Sequence, residues 1–237
     1  MKVGLRFEFL SYLFVFLYLG NKDFPGKEST MNVQQSYNKW AEQYDINENQ
    51  TRDLEARSIR ETLAPFDFNH CLEIGCGTGK NTEWLMQRSR QITAVDISEQ
   101  MLDKAREKNQ SESVTFILMD INQEWHFATN SYDVVTFSLV LEHIKNLDHI
   151  FEQVAKVLTV EGYVYIGELH PFKQYAGSKA RFETNDGVHV VECYTHHISE
   201  FTNTAKKHGL TLVHLNEYFD EDQLSIPRIL TLLLRRF

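Results

Sequence analysis

Cysteine is scarce in this chain: Cys71, Cys76 and Cys193 are the only three in 237 residues. Three thiols form no even disulfide framework and show no metal-ligand pairing, so a stapled secreted scaffold and a zinc module are both excluded. A reduced, cytoplasmic setting is expected. Cys71, opening an apolar strand, and Cys76, in a glycine loop, are then small packing residues. Clustered basic charge is missing too. The formal charge is −9, and the densest basic point is Arg235-Arg236 at the C-terminus. A sequence-independent hold on nucleic acid needs grouped Lys and Arg to neutralise phosphates, so nucleic acid is not the expected partner. No repeat and no low-complexity tract interrupts the chain. Its 42% hydrophobic and 24% charged content suits one globular α/β domain rather than a disordered chain.

Long apolar runs are limited to Phe9–Leu19, eleven residues behind Lys2 and Arg6. That is short for a bilayer span, and no small-x-small cleavage site follows it. Residues 1–30 are expected to form an extension outside the functional domain, and they are the one segment open to membrane contact. The domain itself is expected over 31–237.

From Asn32 onward the pattern is regular. Tyr37, Trp40, Ala41 and Tyr44 fall at i, i+3, i+4 and i+7, the spacing of one helix face. A second helix is expected from Thr51 to Leu63, closed by Pro65. Strands then alternate with helices: strands at Cys71–Ile74, Ile92–Val95, Val114–Leu118, Asp133–Phe137 and Tyr163–Glu168, with helices at Asn81–Arg88, after the cap Ser98, and at Leu147–Leu158. Such alternation predicts a parallel sheet covered by helices on both faces. After His170-Pro171 the rhythm breaks. Residues 171–197 are expected to insert a hairpin turning at Asn185-Asp186-Gly187, near the substrate pocket. A helix from Ser199 to His208, ended by Gly209, and two strands, Leu210–Glu217 and Arg228–Arg235, complete the chain.

The informative segment is Glu73-Ile74-Gly75-Cys76-Gly77-Thr78-Gly79. Glycines at a strand-to-helix turn let a ligand approach the backbone without meeting a Cβ, and in an open parallel sheet that turn lies at the ligand-binding edge. A nicotinamide enzyme would carry G-x-G-x-x-G; here the third glycine comes one residue early and Lys80 holds the later place. Glu73 suits a cation better than a pyrophosphate, and S-adenosylmethionine carries an ammonium and a sulfonium. Asp96 ends the second strand, where a carboxylate can accept ribose hydroxyls. Asp120 ends the third, where it can accept from an adenine amino group.

With these residues in view, the sequence resembles the class I S-adenosylmethionine-dependent methyltransferases, in particular the small-molecule group that includes biotin-pathway and quinone-biosynthesis enzymes. The likeness runs from Met31 to the C-terminus. It takes in Tyr37-Asn38-Lys39-Trp40-Ala41-Glu42-Gln43-Tyr44-Asp45, the glycine loop, Ala94-Val95-Asp96-Ile97-Ser98, Asp133-Val134-Val135 and Leu141-Glu142-His143-Ile144. It implies a Rossmann-like, doubly wound α/β fold of seven strands, mostly parallel with the last antiparallel. It also implies a cofactor site for S-adenosyl-L-methionine built from Glu73, Gly75, Gly77, Gly79, Asp96, Ile97 and Asp120, flanked by Ile121, Ser138 and Leu139. Tyr37 and Tyr44 either cover the cofactor or simply pack; both readings stay open. Ser138-Leu139-Val140-Leu141 departs from the Asn/Asp-Pro-Pro-aromatic motif of enzymes that methylate exocyclic amines, which turns the expectation toward an O, N or C atom of a small metabolite.

His170, at the end of the fifth strand, is the first choice for a catalytic base, with a hydrogen-bonded loop histidine as its alternative. Glu168 shares the location and His143 has a structural bias. Tyr194, His196 and His197 precede the late helix, and Lys173 or Arg181 could recognise an acidic substrate. Competing functions are a non-catalytic S-adenosylmethionine-binding regulator and aminopropyl transfer on the same scaffold.

Overall fold

A computed structural model describes residues 29–127, 131–184 and 187–237. The apolar run Phe9–Leu19 and the turn residues Asn185 and Asp186 lie outside the described residues. Strands β1 (Ser29–Met31), β7 (Arg181–Thr184) and β8 (Gly187–Val191) form a small sheet in the order β1-β8-β7, with β1 parallel to β8 and the β7–β8 pair antiparallel.

The main sheet has seven strands: β2 (Phe68–Ile74), β3 (Ser89–Asp96), β4 (Val114–Leu118), β5 (Tyr132–Ser138), β6 (Leu158–Leu169), β9 (Leu210–Asp220) and β10 (Gln223–Arg236). Their order is β4-β3-β2-β5-β6-β10-β9. The first five are parallel, and β10 runs antiparallel to both β6 and β9. This is the expected Rossmann-like arrangement, and its switch in strand order lies between β2 and β5. The last three strands are longer than predicted. Glu161, at φ 69°, bends the chain without ending β6.

The helices are α1 (Val33–Trp40), α2 (Gln50–Leu63), α3 (Lys80–Leu85), α4 (Glu99–Lys108), α5 (Leu147–Val157), α6 (Pro171–Tyr175) and α7 (Ile198–Lys207). Side-chain oxygens begin four of them. Asn32, Asn49, Ser98 and Asn146 accept from the amide three residues on and so satisfy an otherwise orphaned donor. α6, one short turn with Pro171 at its first position, was not anticipated.

Alternate strand residues feed the two faces. Leu72, Ile74, Val135, Phe137, Leu232 and Leu234 pack with Ile150, Phe151 and Val154 of α5 and Phe201 of α7. Cys71, Val134 and Leu233 turn the other way, toward Ile59 and Leu63 of α2, Leu85 of α3 and Leu102 of α4. Both faces are thus buried, as a parallel sheet requires. A third cluster joins Trp40 and Ala41 to Met101, Phe182 and Val191; Trp40 stacks on Phe182 with centroids 5.1 Å apart. That contact seats α1 on the hairpin above the carboxyl edge of the sheet. No helix among the described residues is long and apolar enough to cross a membrane.

Phe151 is fully buried at the centre of the first face. Phe151→Ala is expected to lower stability by about 3–5 kcal/mol in denaturant titration, the usual cost of an aromatic cavity in a packed core.

Candidate functional site

At the end of β2 the chain turns sharply. Gly75 and Cys76 both donate their amides to the Val95 carbonyl, at 2.7 and 3.0 Å. Gly75 has φ 71°, and a Cβ there would meet Val140 Cγ2 at 2.2 Å. Gly77, at φ 54°, would present its Cβ to nothing within 4 Å, because it borders open space. Its amide donates to Asp96 Oδ2 at 2.8 Å, and the Ser98 amide donates to Asp96 Oδ1 at 2.9 Å. Each carboxylate oxygen thus keeps a second lone-pair direction for a hydroxyl donor. Burial raises the Asp96 carboxyl above its usual range, against the pull of those amides.

This turn opens on a cavity of about 700 Å³, counting its open mouth. Of the expected cofactor residues, Gly75, Gly77, Asp96, Ile97, Asp120, Ile121, Ser138, Leu139, Tyr37 and Tyr44 line it. Gly79 does not; it packs on Asn109 and Ala105 of α4. Asp120 Oδ1 accepts from the amide and side chain of Asn122, at 2.9 and 2.8 Å.

Glu73 reaches a smaller void that adjoins this cavity at Gly75 and Gly77 and is also lined by Arg52, Glu55 and Asn81. Glu73 is 4% exposed, and its Oε2 accepts from Thr82 Oγ1 at 2.6 Å. Burial pushes its carboxyl up to about 8, with Glu55 and Asp96 adding repulsion. Glu55, 3% exposed, accepts from Tyr165 and Asn81 and is raised by burial as well. Two buried carboxyls that border one void are unfavourable unless they are neutral or meet a cation. Two cations also line the void: Lys80, which pairs with Asp53 at 2.6 Å, and Arg52. The Arg52 guanidinium lies 4.1 Å over the Tyr44 ring and donates to the Tyr44 and Asn47 carbonyls, with no carboxylate partner among the described residues.

The opposite wall depends on Leu139, held at φ 58° where a branched side chain rarely sits. Glu168 supports it from behind by accepting from the amides of Val140 (2.9 Å), Leu141 (2.7 Å) and Glu142 (3.4 Å). Burial, then the Glu142 charge, pushes Glu168 up to about 8. Glu168 shapes the wall without lining the cavity.

Among the histidines, the structure brings His143 to the cavity and not His170. His143 Nδ1 lies 2.7 Å from the Glu192 carbonyl, which only accepts, so Nδ1 carries the proton and Nε2 accepts. The Tyr37 hydroxyl donates to that Nε2 at 2.8 Å. His170, 1% exposed, caps α6 by accepting the Phe172 amide at Nδ1, and its Nε2 meets Glu217 at 3.0 Å. With both nitrogens committed and burial lowering its pKa, it stands apart from the open space. Tyr194, His196 and His197 are likewise engaged elsewhere, with Glu192, with Glu200 and the Ile144 carbonyl, and with Tyr175. Lys173 pairs with Asp220 at 3.4 Å. Sequence reasoning missed Arg52 and Glu55, whose helix carries no motif, and gave His143 too little weight.

A second, larger cavity of about 1620 Å³ with its mouth lies between α2, the Leu139 turn and the hairpin. It meets the first at Tyr37, Tyr44 and Leu139.

Comparisons with known proteins bear on the family and the fold. Residues 72–166 match the family model described as a methyltransferase domain. The biotin biosynthesis bifunctional protein of Cellvibrio japonicus is 30% identical over 158 residues, 67% of this chain and 31% of that protein, so the match spans about a third of the relative. A malonyl-[acyl-carrier protein] O-methyltransferase of Bacillus cereus is 28% identical over 65% of this chain and 69% of its own length. Among solved structures, the N-methyltransferase NodS of Bradyrhizobium japonicum, complexed with S-adenosyl-L-homocysteine, superposes with TM-score 0.64 at 16% identity, covering 85% of this chain and 98% of that one.

The Glu73 carboxyl stays protonated in the folded protein at pH values where an unfolded glutamate, near 4.5, has ionised. The stability this confers is fully present below about pH 4.5 and is lost as pH rises toward 8. Without ligand, wild-type melting temperature is expected to fall across that window more steeply than that of Glu73→Gln. Parallel profiles would show that Glu73 does not titrate there.

Proposed function

The chain belongs to the class I S-adenosylmethionine-dependent methyltransferases, and from that premise we propose that it methylates an O, N or C atom of a small metabolite held in the larger cavity. One observation carries this reading: two cavities, one lined by backbone glycines and strand-end carboxylates, the other polar, meet at Tyr37, Tyr44 and Leu139.

The residues of the first cavity fit the cofactor. S-adenosylmethionine, when bound, supplies an electrophilic methyl group on a sulfonium. Glu73, with Glu55 beside it, receives the ammonium of the methionine end, and Arg52 faces its carboxylate. The open oxygen directions of Asp96 accept ribose hydroxyls, and Asp120 stands at the adenine end with Ile97 and Ile121 against the ring. Tyr37 and Tyr44 present aromatic faces near the cation, an attraction worth about 1–2 kcal/mol when desolvated.

Positioning does most of the remaining work, since holding an acceptor in line replaces a costly encounter. Where the acceptor must lose a proton as it attacks, Tyr37 takes that proton on Oη while giving its own to His143 Nε2. The resulting imidazolium is held by the Glu192 carbonyl, and the buried Glu142 carboxylate lies 3.9 Å from Nε2. A regulator without turnover and an aminopropyl transferase remain the competing readings. The placing of Glu73 where an amino-acid ammonium would sit favours the ordinary cofactor.

Calorimetry of the full chain with S-adenosylmethionine is expected to show micromolar binding, weakened at least tenfold (about 1.4 kcal/mol) by Asp96→Ala. At pH 7 protons are expected to leave on binding, and fewer in Glu73→Gln, because burial pushes the Glu73 carboxyl up to about 8. Release of S-adenosylhomocysteine with a metabolite mixture separates an enzyme from a regulator. With an acceptor in hand, Tyr37→Phe is expected to lower kcat about 100-fold while leaving cofactor affinity unchanged. An unchanged kcat would remove Tyr37 and His143 from the proton path.

A further inference from the structure

We infer that the acceptor is an anion, a carboxylate or phosphate ester, gripped by Lys179 and Arg181 of the hairpin segment; this rests on the two-cavity reading above. The chain as a whole carries −9, yet the ionisable groups lining the larger cavity are the cations Arg52, Lys179, Arg181 and Arg228 against Glu48 and Glu142. The sign of this wall is opposite to that of the molecule, which focuses a positive potential into a concave site.

The cations are not equivalent. Arg228 is spent: it holds Asp220 through Nε and Nη2 and also donates to Thr51 and Gln50. Arg52 lines both the larger cavity and the small void beside Glu73, and on the reading above it serves the cofactor end. Lys179 and Arg181 are exposed and meet no carboxylate among the described residues. Of the two carboxylates, Glu142 is buried at 6% exposure, beside His143 and the Gln174 amide, which leaves Glu48 alone at the rim to oppose an anion. The first turn of α2, Gln50–Arg52, lines the same cavity. The positive end of that helix's dipole therefore acts in the same direction as the side chains.

The placement also suits transfer. The hairpin holds its charges on the side of the cavity away from Gly75 and Gly77, which border only the other cavity and the small void beside it. An acceptor anchored there by its anionic end can extend its reacting atom to the junction at Tyr37 and Leu139. Arginine contributes a two-pronged grip that matches a carboxylate or phosphate, and lysine adds a point charge. Position 181 is held firmly, because the next residue, Phe182, is buried against Trp40.

The test uses the full chain saturated with S-adenosylhomocysteine and titrated separately with inorganic phosphate and with succinate, at ionic strength matched by sodium chloride. Saturable binding of either anion is expected, weakened at least tenfold in Lys179→Ala/Arg181→Ala and partly recovered when Arg181 is restored alone. Affinity for S-adenosylhomocysteine should be equal in both proteins, which shows that the variant is folded. Whichever anion saturates at lower concentration identifies the anchoring group. Binding that the double variant leaves unchanged, or no response to either anion by a protein that does bind S-adenosylhomocysteine, would overturn the inference while leaving the methyltransferase reading intact. Failure of S-adenosylhomocysteine itself to bind would bring down both.

Discussion

The hydrogen bond from the Gly77 amide to the Asp96 carboxylate joins the ends of two neighbouring strands across a turn that has glycine on either side of Cys76. Together with the two amides donated to the Val95 carbonyl, it fixes where the backbone of the glycine loop lies relative to β3. The rest of the site is measured from that point. Val140 packs where a Cβ of residue 75 would have been, Leu139 is forced over at positive φ, and Glu168 closes the opposite wall by taking up three amides in succession. Strain in one residue is tolerated because the surrounding hydrogen bonds over-determine it.

Charge has been arranged on the same scaffold with equal economy. Buried carboxyls at Glu55, Glu73 and Asp96 are individually unfavourable, and each is raised by burial. Collectively they form a wall that a cationic ligand relieves. On the far side of Tyr37 and Leu139 the balance reverses, and the cations of the hairpin and α2 dominate. The boundary between the two fields is neutral and aromatic, at Tyr37, Tyr44 and Leu139.

Much of this was legible in the sequence because it is local. The alternation of apolar strands and amphipathic helices, the two-residue glycine spacing and an acid at the end of each of three strands depend on neighbours a few positions away. They pointed to the parallel sheet and to Glu73, the glycines, Asp96 and Asp120, while the antiparallel end and the rest of the cavity lining came from the family resemblance they support. The misplacements have physical causes. His170 precedes a proline and an aromatic as a catalytic histidine would, but the same features make it the cap of α6. Lys173 and Arg181 look alike in sequence; only the position of Asp220 decides that one is neutralised and the other is not.

What the sequence by itself determined is therefore the parallel α/β sheet and the glycine turn at its carboxyl edge, since periodicity and turn chemistry encode them within short windows. The tertiary structure alone decided which groups converge. Tyr37 and His143 are 106 residues apart, Glu55 approaches Glu73 from a helix without any motif, and Lys179 and Arg181 reach the cavity only because Trp40 stacks on Phe182. Such meetings are set by how helices settle on a twisted sheet, and no pattern along the chain records them.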